Sequence, residues 1–202
     1  MNEEKELVLA SQSVSRARLL ENAGLSFHIQ PAFVDEDEVK FSLQGAKAPI
    51  RDAAVALAEL KATRVSARIP QAFVIGADQI LECNDIWFDK PADMEHARAH
   101  LLSLKGKTHR LANAVCVAKG GTVIWRHVDI ARLSMRHFED AFLDAYLEQT
   151  GDAILSSVGA YHLEGLGAHL FAKVEGDFFS ILGLPLLPLL DFLRGHKIGL
   201  AP

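Results

Sequence analysis

The sequence predicts an α/β fold built on a mixed β-sheet. Three observations carry this. Short apolar runs alternate with longer helical stretches through the first half of the chain, the pattern of parallel strands joined by helices. Further on, a Gly-Gly pair at 120–121 separates two long segments rich in Val, Ile and Trp, which predicts an antiparallel hairpin. A sheet with both kinds of pairing is mixed rather than purely parallel.

The elements follow in order. Leu7 to Ala10 is an apolar run that reads as a short buried strand, and Val14 to Ala23 reads as a helix stopped by Gly24. Phe27 to Val34 alternates loosely and reads as a second strand, ending in the acidic run Asp35-Glu36-Asp37-Glu38. Pro49 to Ala67 is the strongest helical stretch: Pro49 suits a first turn, and Ala54, Leu57, Leu60 and Ala62 fall roughly on one face. Ala72 to Ile75 reads as a buried strand, interrupted at Gly76-Ala77-Asp78 and resumed at Gln79-Ile80-Leu81. Asn84-Asp85 is a hairpin turn leading to Ile86-Trp87-Phe88. Met94 to Ser103 and Glu139 to Gln149 read as helices, the second ended by Gly151. Beyond Gly159 the chain is punctuated by glycines until Leu184, then reads as helical to Leu193.

At 202 residues, half of them hydrophobic, the chain can bury one full core and is too short for two ordinary domains, so residues 1–202 are expected to form a single domain. A charged fraction of 23% fits a globular chain. The net charge of −5 supplies no basic footprint, which excludes duplex nucleic acid as the expected partner. Cys83 and Cys116 form no CxxC pair and read as buried free thiols in a reducing compartment. Met1 to Glu6 lacks the pattern of a secretory leader, and Ile181 to Leu193, the most apolar stretch, is broken by Pro185, Pro188 and Asp191. The expected location is the cytoplasm, with no membrane as partner.

Several residues carry candidate chemistry, each beside a plainer reading. In "LASQSVSR", Ser11, Ser13 and Arg16 stand where a strand hands over to a helix: an anion site of hydroxyls and free N–H groups, or a capping serine and a surface arginine. The run Asp35 to Glu38 is either a set of oxygen ligands for Mg²⁺ or a solvated acidic loop. Asp78 sits in very apolar surroundings, where an aspartate is costly unless paired, hydrogen-bonded or near a metal. It is a candidate general base or metal ligand, or else caps a turn. Lys61 and Lys90 are surface lysines or phosphate-binding cations. There is no HExxH zinc motif, no GxSxG elbow and no P-loop. Taken together, cations beside metal-binding carboxylates are what a phosphoanhydride requires: charge neutralisation on the phosphates and a carboxylate to orient water.

The order of motifs resembles the Maf family of nucleoside triphosphate pyrophosphatases along essentially the whole chain. It runs through "LASQSVSR", "FVDEDE", "ALAELKA" around Lys61, "VIGADQIL" around Asp78, "FDKP" around Lys90, "GAYHLEGLGAHLF" and "VEGDFFSILGLPLLPLLDFL". The resemblance implies an elongated mixed sheet flanked by helices, with two lobes and a central cleft, a fold like that of inosine triphosphatases. It implies cleavage of a nucleoside triphosphate to the monophosphate and pyrophosphate with Mg²⁺ or Mn²⁺ in a cytoplasmic protein, often a homodimer. By position, Ser11, Ser13, Arg16, Lys61 and Lys90 would hold the triphosphate, Glu36 and Asp78 would serve the metal, and Asp78 would accept the proton. The alternative is a nucleotide-binding regulator of cell division with weak or no catalysis.

The chain departs from the family pattern in places. Where many members read "SPRR", it has Ser13-Val14-Ser15-Arg16, so Ser15 replaces an arginine, or a tryptophan of one subgroup. Pyrimidine-preferring members carry a threonine where this chain has Gln79, and a lysine and glutamine absent from Ser156 to Gly165. "GADQ" and "EGLG" instead resemble the subgroup that prefers 7-methyl-GTP. Glu164 fits that preference chemically: an ionised carboxylate only accepts hydrogen bonds, which suits the N1–H and amino donors of guanine and a cationic methylated ring.

Overall fold

A computed structural model describes residues 5–200; Met1–Glu4, part of the stretch without a leader pattern, and residues 201–202 lie outside it. The described residues form β1 (Leu7–Leu9), α1 (Val14–Asn22), β2 (His28–Ile29), α2 (Glu36–Gly45), α3 (Ile50–Ser66), β3 (Phe73–Cys83), β4 (Ile86–Phe88), α4 (Met94–Leu104), β5 (Thr108–Lys119), β6 (Thr122–Met135), α5 (Asp140–Thr150), β7 (Phe171–Glu175), α6 (Phe178–Ile181) and α7 (Leu186–Gly195). The strands make one mixed sheet in the order β2-β1-β3-β5-β6-β7, with β4 paired to β3. β1 lies parallel to both β2 and β3, with Leu7, Val8 and Leu9 opposite Phe73, Val74 and Ile75, whereas β4 on β3 and β7 on β6 are antiparallel.

The chain divides into two compact units. One holds residues 5–78, 113–129 and 178–200, and the other 79–112 and 130–177; β3, β5 and β6 each contribute to both. In the first unit the period of two along β1 sorts its side chains between two cores. Leu7 and Leu9 join Leu20 of α1, Ile75 of β3, Val115 and Val117 of β5, and Leu189 and Leu193 of α7. Val8 and Ala10 face the other way, onto Val65 of α3 and Val74. A strand buried on both faces has to be apolar throughout, and Leu7-Val8-Leu9 is.

In the second unit α4 and α5 pack together, burying Leu101, Leu104, Leu143 and Tyr146. The β3–β4 turn has Asn84 and Asp85 both left-handed, at φ 53° and 63°, the conformation of a two-residue hairpin whose twist matches its strands. A buried aromatic group holds His109 of β5, whose Nε2 lies 2.7 Å from the Tyr161 hydroxyl, with Phe171 of β7 in edge contact with Tyr161.

Four elements differ from the sequence reading. The acidic run is not a loop: Asp35 caps α2, accepting from the Glu38 N–H at 3.1 Å, and Glu36, Asp37 and Glu38 fill the first turn, where the helix dipole favours carboxylates. The strand expected over Phe27 to Val34 shrinks to His28–Ile29, since Pro31 lacks the N–H needed to continue a ladder. β3 is continuous through Asp78, because the carboxylate has a partner and need not leave the strand. β7 was not read at all; four of its five residues are exposed, so it carries no apolar alternation.

Candidate functional site

The first unit gathers six of the expected residues: Ser11, Ser13, Arg16, Glu36, Lys61 and Asp78. Their placement starts with the backbone. Gly76 lies directly under α3, where an added Cβ would collide with the Ala58 carbonyl and sit 2.7 Å from the Ala62 Cβ. Only the absence of a side chain lets β3 approach α3 this closely. Lys61, between those two alanines, then reaches Asp78 two residues beyond the glycine.

Lys61 Nζ lies 2.6 Å from Asp78 Oδ1 and 2.8 Å from Glu36 Oε1. The Lys61 and Asp78 side chains are only 8% and 5% exposed, so this is a desolvated cation between two carboxylates, from α3, α2 and β3. The plainer reading of Lys61 as a surface lysine is thereby corrected, as is that of Asp78 as a turn cap. Burial works to raise the Glu36 carboxyl, but Lys61, with Lys40 and Arg16 further off, outweighs it and holds the group below the usual carboxylate range. Asp78 Oδ2 is buried and has no hydrogen-bond partner. A buried oxygen left unsatisfied is costly, so it marks a place for a further donor or cation.

The start of α1 forms the other half of the group. Ser13 caps the helix, with its Oγ 3.4 Å from the Arg16 N–H. Ser11 Oγ accepts from the Ser13 N–H at 3.2 Å and from the Arg16 guanidinium at 3.1 Å. Arg16 Nε donates to the Gly183 carbonyl at 2.9 Å. The plainer reading of "LASQSVSR" holds for Ser13, which is a cap, and is corrected for Arg16, which is buried rather than at the surface. Burial lowers the Arg16 pKa from its ordinary value, while the charges of Asp78 and Glu36 oppose that shift. Two of the five guanidinium N–H groups are used, leaving three to offer. Ser15 is half-buried in the first turn of α1.

Gln79, Lys90 and Glu164 belong to the second unit. Gln79 is half-buried in β3, Lys90 is exposed just after β4, and Glu164 is exposed in the turn before residues 166–170. Sequence reasoning missed Gly76, which seats the pair, and the Gly183 carbonyl, which anchors Arg16 from 167 residues away. The glycine inside an apolar strand was a usable signal; nothing local announces the second contact.

Chemically, the group offers a cation for phosphate oxygens, a helix start with hydroxyls, and a buried carboxylate oxygen that can accept a proton or a metal. Among the described residues no three His, Cys, Asp or Glu side chains converge on a metal-sized site. Two carboxylates nonetheless suit Mg²⁺, which is commonly held by one or two of them together with substrate phosphates.

Comparison with known proteins agrees with this chemistry. The family model described as Maf-like protein matches residues 6–196. A nucleoside triphosphate pyrophosphatase of Paramagnetospirillum magneticum is 58% identical over 188 residues, spanning 93% of this chain and 96% of that protein. One from Caulobacter vibrioides is 52% identical over 94% of this chain and 95% of its own. A 7-methyl-GTP pyrophosphatase of Brucella abortus is 50% identical over 95% of this chain and 96% of its own.

Proposed function

The chain belongs to the Maf family, and from that premise we propose that it is a nucleoside triphosphate pyrophosphatase acting on modified nucleotides, 7-methyl-GTP among them. It is a hydrolase that cleaves the bond between the α and β phosphates, giving the monophosphate and pyrophosphate. The observation that carries the site assignment is the Glu36–Lys61–Asp78 cluster with its unpartnered Asp78 Oδ2, beside the buried Arg16.

Each residue has a part that follows from its position. Lys61 and the free N–H groups of Arg16 neutralise the triphosphate, and the hydroxyls of Ser11 and Ser13 at the start of α1 bind its oxygens. Positive charge held in place before the reaction stabilises the pyrophosphate as negative charge builds on it. Asp78 Oδ2 takes the proton from the attacking water. Lys61 orients the carboxylate by occupying Oδ1, so Oδ2 is the atom left for the water. Glu36 and Asp78 are the residues that would hold Mg²⁺ or Mn²⁺, which would supply further neutralisation of phosphate charge.

Gln79, Lys90 and Glu164 are kept as substrate-binding candidates through the motif match. A carboxylate at 164 favours a guanine-type base with a cationic ring over uracil. The reading also places the enzyme in the cytoplasm; among the described residues no helix is long and apolar enough to cross a membrane. Homodimer formation is carried by the resemblance and is tested by sedimentation.

A panel of GTP, 7-methyl-GTP, dTTP, UTP and ATP, with Mg²⁺ or Mn²⁺, tests the proposal. Pyrophosphate and monophosphate are expected, with 7-methyl-GTP preferred and the preference weakened in Glu164→Gln. Inorganic phosphate as the product would point to a phosphatase. No turnover of any triphosphate would point to the regulatory alternative.

A further inference from the structure

Arg16 is held from two sides, and its second support lies at the far end of the chain. We propose that the Ser180–Asp129 hydrogen bond positions Arg16 for the triphosphate, acting through the Gly183 carbonyl; this rests on the reading of Arg16 as a phosphate ligand. The path is continuous within the first unit. Asp129 of β6 accepts from the Ser180 hydroxyl at 2.7 Å, with its other oxygen 2.9 Å from His127 Nε2. The Gly183 N–H donates to the Ser180 carbonyl at 2.9 Å, closing the turn after α6. The Gly183 carbonyl then takes the Arg16 Nε–H, and the guanidinium goes on to Ser11 Oγ.

Three features make this a device rather than ordinary packing. α6 spans four residues, too few to be stable by itself, so its place is set by what it is tied to. Ser180 is fully buried, where a hydroxyl costs free energy unless it is bonded, and Asp129 provides the bond. Gly183 has φ 109°, a conformation that an L side chain rarely adopts, and this turn is what aims the carbonyl at Arg16. With Nε and one other N–H engaged, the guanidinium has a fixed plane. Its three remaining N–H groups then keep fixed directions in that plane, which is what a bidentate contact to a phosphate requires.

Ser180 and Asp129 are therefore positioning residues that touch no substrate. Steady-state kinetics of Ser180→Ala, Arg16→Ala and the double variant test this, with thermal midpoints measured alongside. Ser180→Ala is expected to raise KM for the triphosphate about three- to tenfold, the worth of one hydrogen bond, with kcat within about twofold of wild type. In the Arg16→Ala background the same change is expected to leave KM where it is, since coupled residues are not additive. Asp129→Ala supplies a second route should Ser180→Ala fail to fold, and Asp129→Asn, which keeps an acceptor oxygen, should restore most of the KM. An unchanged KM in Ser180→Ala, or the same rise with and without Arg16, overturns the positioning role. A wild-type KM in Arg16→Ala removes the phosphate role of Arg16 and this inference with it. A raised KM in Arg16→Ala beside a normal Ser180→Ala removes the inference alone.

Discussion

Lowering the pH should unfold this protein in part through one buried histidine of the second unit. His109 is fully buried, with Nε2 on the Tyr161 hydroxyl and Nδ1 without a hydrogen-bond partner. Burial pushes its pKa down from 6.5 to about 4. The unfolded chain therefore takes up a proton at a pH where the folded chain does not. Stability is fully present above pH 6.5 and is lost as the pH falls towards 4. At pH 5 most of the unfolded chains carry the proton and few folded ones do, which amounts to about 2 kcal/mol relative to pH 8. Urea unfolding at pH 8 and pH 5, of the wild type and of His109→Gln, isolates the contribution of His109. Glutamine can still hydrogen-bond to Tyr161 but does not titrate. His100, also shifted down by burial, is common to both proteins and cancels in the comparison. The wild type should lose about 2 kcal/mol more than the variant on acidification. Equal losses would show that His109 is hydrated or already protonated in the folded state, and the burial argument would fail.

Two substitutions probe the cluster itself. Lys61→Met leaves Asp78 and Glu36 without their shared cation, and breaking a buried pair from one side should cost about 3–5 kcal/mol in urea unfolding at neutral pH, together with a large rise in KM; a loss below about 1 kcal/mol would mean that the pair is solvated. Gly76→Ala drives a methyl into the α3 backbone at Ala58, so overpacking of about 1–3 kcal/mol is expected along with a higher KM, and an unchanged urea midpoint would contradict the close approach of β3 to α3.

Local rules made much of the fold legible. The apolar run before Ser11, the cap at Ser13, and the Asn84-Asp85 and Gly120-Gly121 hairpins are short-range signals, and the structure has each. α2 was missed because it buries none of its residues, so no apolar periodicity marks it; the Asp35 cap and the three acidic residues of its first turn were the only sign. At the site, composition gave the residue types and the family resemblance their order. It could not give the pairing. Asp78 looked like an interruption of a strand because the lysine that lets it stay there is on another element, 17 residues back. The anchoring of Arg16 by Gly183 is invisible for the same reason: it exists only once the ends of the chain have met.

The central claim is that Asp78, held by Lys61, is the proton acceptor for hydrolysis of the triphosphate. Asp78→Asn keeps the size of the side chain and an oxygen for Lys61 while removing the base. The most direct measurement is the rate of pyrophosphate release from saturating 7-methyl-GTP or GTP, with triphosphate binding and the thermal midpoint measured in parallel. The account predicts a folded protein that still binds the triphosphate and releases pyrophosphate about 10²–10⁴-fold more slowly. Release at the wild-type rate would contradict it.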